Sequence, residues 1–180
     1  MSDWNVIVTV TPGPQNERRV LDALHRFGRF RRAGFKDVCI GTVDDVGALL
    51  EGVRAAAAEG RPWGRAIARV IPIDVAFTFA PETLTESLKA AVVPLAARLA
   101  DGTLCVRVER RGLAGRINSP DVERAVAGHV FDLAQAAGKT LGVSLEDPDF
   151  LLVVETIGTD CGVGLVTREL RSRYPFVQAR

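Results

Sequence analysis

The sequence predicts an α/β chain of the α+β kind: an N-terminal ferredoxin-like β-α-β-β-α-β unit, residues 1–72, followed by a second α/β domain, residues 73–180, with a mixed, partly parallel sheet. Three observations carry that expectation. Residues 1–72 alternate β-rich runs with stretches of helical spacing in the order β-α-β-β-α-β. FLLVVETI at 150–157 is a nearly unbroken apolar run, as expected of a central strand covered on both faces. In the second half strands are separated by helices, which implies parallel pairing.

The elements follow in order. WNVIVTV (4–10) is β-rich and the Pro12-Gly13-Pro14 turn stops it. Val20, Leu21, Leu24 and Phe27 then recur at helical spacing. Two short strands around the turn at Gly34 make a hairpin from about Arg29 to Val43. Asp44 or Asp45 caps a helix carrying Val46, Leu49, Leu50 and Val53 on one face and ending near Gly60. A strand at 66–71 completes the first unit, the intervening GRPWGR reading as a linker. Leu84, Leu88, Val92, Leu95 and Leu99 form a further helical stripe that Pro94 kinks or splits. A strand follows with Leu104, Val106 and Val108 on its core face and Cys105, Arg107 and Glu109 on the other. Ser119 is placed to cap the next helix with Pro120 at its first position, and Val122, Val126, Val130 and Leu133 form the stripe behind it. After FLLVVETI the sequence predicts a turn at Asp160 to Gly162, a shorter strand at 163–166, and a last short helix capped by Thr167.

Composition excludes several classes of protein. An apolar fraction of 47% and a charged fraction of 25% are ordinary for a folded chain, so wholesale disorder is not expected. The net charge of +1 argues against a protein that coats nucleic acid by charge alone. Charge is instead distributed unevenly. Six arginines fall between Arg18 and Arg32 against the single acid Asp22, while acids gather at Asp37, Asp44, Asp45 and Glu51 and at Glu146, Asp147 and Asp149. Arg168, Arg171, Arg173 and Arg180 outnumber Glu169, so the surface is expected to be electrically two-sided. Cys39, Cys105 and Cys161 form no CxxC pair, and His25 and His129 are isolated, so neither a zinc site nor a disulfide framework is suggested. Reduced, buried thiols in a cytoplasmic protein, with no membrane span, are expected instead.

The chemistry-bearing stretch is LCVRVERRGLAGRINSPDVERAVAGHV, 104–130. It joins an arginine-bearing strand to the start of a capped helix. Guanidinium forks match phosphate oxygens in two-point geometry, and free N–H groups at a helix start attract anions. Gly112, beside Arg110 and Arg111, lets the backbone approach a ligand closely. The same pattern also fits charged residues facing water.

ARVIPIDVAF (68–77), CVRVERRG (105–112), INSPDVERAVAGHV (117–130) and DPDFLLVVE (147–155) together resemble a THUMP domain. The block before them resembles the ferredoxin-like domain that accompanies THUMP, so the likeness covers nearly the whole chain. The IPI segment and the chain's brevity are similar to stand-alone THUMP proteins, tRNA-binding adaptors for a cytidine acetyltransferase. Ser144 departs from the family, which often has aspartate there. The resemblance implies RNA binding, of tRNA near its acceptor end, with chemistry supplied by a separate tRNA-modifying enzyme. The implied surface is Arg107, Arg110, Arg111 and Arg116 with Asn118 at the helix entry. Arg29, Arg31 and Arg32 form a second patch for a phosphate strand crossing both units, although a solvated hairpin explains them as well. Two separated patches suit shape recognition of folded RNA.

No cofactor and no catalysis by the chain itself are expected, because a GxSxG elbow, a Walker A loop, an HExxH helix and a Rossmann fingerprint are all missing. Gly162-Val163-Gly164 reads as a turn, Cys161 as structural, and Glu123 and Glu155 as ordinary helix and strand residues. Trp4, Phe30, Trp63 and Tyr174 are too few for a base-stacking platform, and DNA is not an expected partner. The alternative reading is a protein-interaction or ligand-sensing module that dimerises through its ferredoxin-like sheet.

Overall fold

A computed structural model describes residues 2–180. The first unit runs β1 (Val6–Val10), α1 (Asn16–Leu24), β2 (Gly28–Arg32), β3 (Val38–Val43), α2 (Val46–Ala58), α3 (Pro62–Ala66) and β4 (Ile67–Pro72). Its sheet has the order β2-β3-β1-β4 with every pair antiparallel, which is the ferredoxin-like arrangement. The hairpin falls where the sequence placed it, and the structure sets its register with Phe30 opposite Gly41. Asp45 caps α2, accepting from the Ala48 N–H at 2.9 Å, and Gly60 leaves the helix with φ +73. The GRPWGR segment is not a linker but α3, which seats Trp63 beside Phe27 and beneath the Arg26 guanidinium, 5.5 Å from the ring centroid.

The second sheet is built from β5 (Val75–Thr78), β6 (Gly102–Glu109), β7 (Leu141–Val143), β8 (Phe150–Ile157) and β9 (Asp160–Thr167), in the order β5-β9-β8-β6-β7. β6 pairs in parallel with β7 and β8, and β8–β9 and β5–β9 are antiparallel, giving the mixed sheet expected. Pro94 splits its helical stripe into α4 (Leu84–Ala91) and α5 (Val93–Ala96), while α6 (Ser119–Ala136) crosses from β6 to β7 and α7 (Arg168–Arg173) closes the order. Leu152 and Val154 of β8 pack under α4 and α6 with Leu104, Val106 and Val126. Leu151, Val153 and Ile157, on its opposite face, join the core of the first sheet. Both faces of β8 are therefore apolar, which is why FLLVVETI shows no alternation.

Two details depart from the sequence reading. Asp160 to Gly162 is not a turn: the chain reverses at Gly158, φ +58, and β9 starts at Asp160. Gly162-Val163-Gly164 lies inside that strand, where a Cβ on Gly164 would overlap the Pro72 carbonyl oxygen and one on Gly162 the Trp4 ring. These glycines let β9 press against the first unit, and the Asp74 N–H donates to Val163 O at 2.8 Å beside them. The cap of α6 is Asn118 rather than Ser119, with Oδ1 accepting from the Asp121 N–H at 3.1 Å. Asn118 stands one residue earlier in an extended conformation, so its short amide reaches the third helical N–H and Pro120 moves to the second position.

The C-terminal arginines are not a free basic face. Arg168 pairs with Asp147 and Asp149, Arg171 with Asp147, and Arg173 with Glu51, which places them among the acids the sequence set apart. Among the described residues no helix is long and apolar enough to cross a membrane.

Candidate nucleic-acid interface

β6 positions the arginines. Leu104 and Val106 point into the core beneath α6, and Val108 is held by its own N–H donating to Glu123 Oε1 at 2.8 Å. Glu123 thus serves the strand next to its helix. On the opposite face Cys105 is buried and Arg107 donates to Leu145 O at 3.3 Å. Burial pushes the Cys105 thiol up, raises Cys39 to about 11 and raises Cys161 further, so all three thiols stay protonated.

Past Glu109 the chain leaves the sheet, but it stays tied to the end of β8: the Arg111 N–H donates to Thr156 O at 3.2 Å and the Gly158 N–H to Arg111 O at 2.9 Å. Gly112 follows with φ +87, its α-carbon facing Phe35 at the tip of the β2–β3 hairpin. The two neighbouring arginines then part. Arg110 turns outward, half-buried, and donates to Gly112 O at 2.6 Å. Arg111 turns inward and donates to Glu155 Oε2, a carboxylate with no solvent exposure.

Arg69 of β4, itself only 5% exposed, approaches the same carboxylate from the first sheet, Nη1 lying 3.7 Å from Oε1. Burial holds the Glu155 carboxyl above its ordinary value, Arg111 and then Arg69 opposing part of that rise; burial likewise lowers Arg69. Two guanidiniums around one carboxylate leave a positive excess at the junction of the sheets.

The first implied surface, Arg107, Arg110, Arg111, Arg116 and Asn118, is divided among three hollows, and Arg29, Arg31 and Arg32 stand apart from it on β2. Arg110 and Arg111 line a cleft of about 710 Å³ between the sheets, with Thr9, Lys36, Arg69 and Arg180. Arg107 lines an adjoining hollow of about 480 Å³ with Arg171 and Arg180, so Arg180 borders both. Arg116 and Asn118 lie beside Pro81 and Leu84, Arg116 pairing with Glu82 at 2.6 Å and Asn118 occupied as the cap. Arg29 and Arg31 sit exposed on β2, and Arg32 pairs with Glu17 of α1 at 2.9 Å. Trp4, Phe30 and Tyr174 are buried and Trp63 is half-buried, so the aromatics are structural.

Sequence reasoning missed Lys36, Arg69 and Arg180. A signal for Arg69 was present: it and Glu155 are opposite charges, each alone inside an apolar strand, and such residues are rarely buried unless paired.

No curated protein sequence matches the chain. Among solved structures the chain is similar to TrmN from Thermus thermophilus, with 20% identity over 89% of this chain and a TM-score of 0.61. It is also similar to PH1313 from Pyrococcus horikoshii Ot3, with 13% identity over 90% of this chain and a TM-score of 0.56. A third is a 4-thiouridine synthetase in complex with RNA and bound ATP, 13% identical over 91% of this chain with a TM-score of 0.56. The chain spans 44%, 54% and 41% of those three chains, about half their length or less. At these identities the likeness is one of fold. The THUMP domain model matches residues 82–166, from the turn before α4 into β9. That span takes in the arginine-bearing β6, the Asn118-capped helix and the Glu155 strand whole, and the chain therefore carries a THUMP domain.

Proposed function

We propose that the chain is an RNA-binding adaptor that recognises tRNA and presents it to a separate tRNA-modifying enzyme, with a cytidine acetyltransferase as the candidate partner and the cytoplasm as its location. The observation that carries the reading is the THUMP domain, an RNA-binding module, with its Arg110–Gly112 loop opening onto a cleft that it shares with the first unit. A solved neighbour of the same fold is a 4-thiouridine synthetase in complex with RNA. In this reading residues 1–72 and 73–180 act together. Arg107 and Arg110 contact the RNA backbone near the junction, Arg29, Arg31 and Arg32 supply the second patch, and Arg111, Arg116 and Asn118 hold the loop and helix entry in place. Dimerisation through an open ferredoxin-like face is less well supported, because every residue of β1 is buried.

The test is equilibrium binding of unmodified tRNA across a salt series. Affinity falls steeply with salt if phosphates are neutralised, and replacing Arg110 by alanine reduces the slope of log affinity against log salt by about one. Absence of tRNA retention at physiological salt defeats the proposal.

A further inference from the structure

We infer that the cleft between the two sheets is a binding site for a single phosphate group, with Arg69 at its floor and Lys36, Arg110 and Arg180 at its rim. The inference deepens the RNA-binding reading and rests on it only for the origin of the phosphate, which is either an RNA backbone or a free phosphate compound.

Charge is the first ground. Lys36, Arg69, Arg110, Arg111 and Arg180 surround the cleft, against Asp37 and Glu109 on its wall and Glu155 behind it. Cations therefore exceed carboxylates in a recess with partly desolvated walls, where an anion is attracted more strongly than at an open surface.

The floor is the second. Arg69 has a side chain only 6% exposed, yet among the described residues neither Nη1 nor Nη2 has a hydrogen-bond acceptor: its 3.7 Å approach to Glu155 Oε1, itself without a hydrogen-bond partner, is an ion pair too long to be a hydrogen bond. Thr9, its partner across the β1–β4 ladder, carries a buried Oγ1 that is also without a partner. Buried donors left unmatched are costly, and several of them converging on one recess is what a ligand site looks like before the ligand is bound. Arg69 lines the recess, and a guanidinium fork fits phosphate oxygens in two-point geometry.

The rim is the third. Lys36 is exposed, Arg180 is 75% exposed and only 3.6 Å from Glu109, and Arg110 holds nothing but its own loop carbonyl. Lys36 is open to solvent, and an anion in the cleft would compete with only one partner each for Arg110 and Arg180. The volume, about 710 Å³, admits the sugar or base attached to a phosphate as well as the phosphate.

Thermal unfolding of the full chain in sodium phosphate and in sodium chloride at equal ionic strength and pH tests the site, with inorganic phosphate and then a nucleoside monophosphate as probes. Phosphate is expected to raise Tm above the chloride value in a saturable way. The Lys36→Gln/Arg110→Gln double variant, altered only at the rim, is expected to need about tenfold more phosphate for the same rise. Arg69→Lys, which keeps the charge and removes the fork, is expected to lose most of the phosphate effect. Equal Tm in the two salts, or an unchanged phosphate requirement in the rim variant, overturns the inference. Parallel tRNA titrations separate the two readings: tRNA binding without a phosphate effect removes the site and leaves the adaptor, and a phosphate effect without tRNA binding does the reverse.

Discussion

Arg111, on the loop after β6, donates to Glu155 of β8, and that carboxylate is faced from the other sheet by Arg69 at 3.7 Å. A buried carboxylate holding two guanidiniums is difficult to replace on one side only, because the cations left behind lose their counter-charge. Glu155→Gln is expected to lower stability by about 3–5 kcal/mol. Urea unfolding with an unchanged m-value measures this, and a loss under about 1 kcal/mol contradicts the account.

Adjacent arginines should give opposite phenotypes. Arg110→Ala is expected to weaken tRNA binding with Tm nearly unchanged, since its guanidinium serves only Gly112 O. Arg111→Ala is expected to lower Tm markedly, since it strands Glu155. Paired binding and melting curves on the two variants check this; equal melting losses sink it.

Glu51 ties α2 to the C-terminal segment. Hydrogen bonds from Tyr174, Arg54 and Arg173 hold its carboxyl down at about 2. A carboxyl held below its ordinary value adds stability that is complete above that value and fades as pH falls towards the folded one. The contribution should therefore be whole above about pH 4.5 and lost between there and about pH 2. Glu51→Gln is expected to melt lower at neutral pH and to show a flatter Tm across that acid window, as followed by circular dichroism.

Two glycine-to-alanine substitutions should differ in sign. Gly164→Ala forces β9 away from the Pro72 carbonyl and is expected to cost about 1–3 kcal/mol. Gly128→Ala, on the exposed side of α6 with nothing near its added methyl, is expected to gain about 0.5–1 kcal/mol. Chemical denaturation of both variants tests the pair, and a neutral Gly164→Ala shows that β9 does not need the close approach.

Local pattern made most of the elements legible. β8 is visible as an unbroken apolar run because its two faces meet two cores, and Thr167 was readable as the cap of α7, accepting from the Leu170 N–H at 3.2 Å. β5 and β7, at four and three residues, are too short for a periodic signal, and α3 hides behind a Pro and Gly signature that usually marks a loop. Asn118 and Ser119 are both good caps, and only the backbone conformation separates them. The candidate site was half legible. Arg110 and Arg111 stand out beside Gly112, but nothing local says that one faces out and the other in. That depends on Glu155, 44 residues away, and on Arg69 in another sheet.

Residues 175–180 run back over the first unit: Val177 is fully buried in its core, and the Val70 N–H donates to Phe176 O at 3.0 Å, along β4. During synthesis the ferredoxin-like sheet leaves the ribosome long before the segment that seals it. The earliest-made half must therefore wait for residues 175–180, and a nascent chain stalled short of them would present an unsealed β4 to other chains.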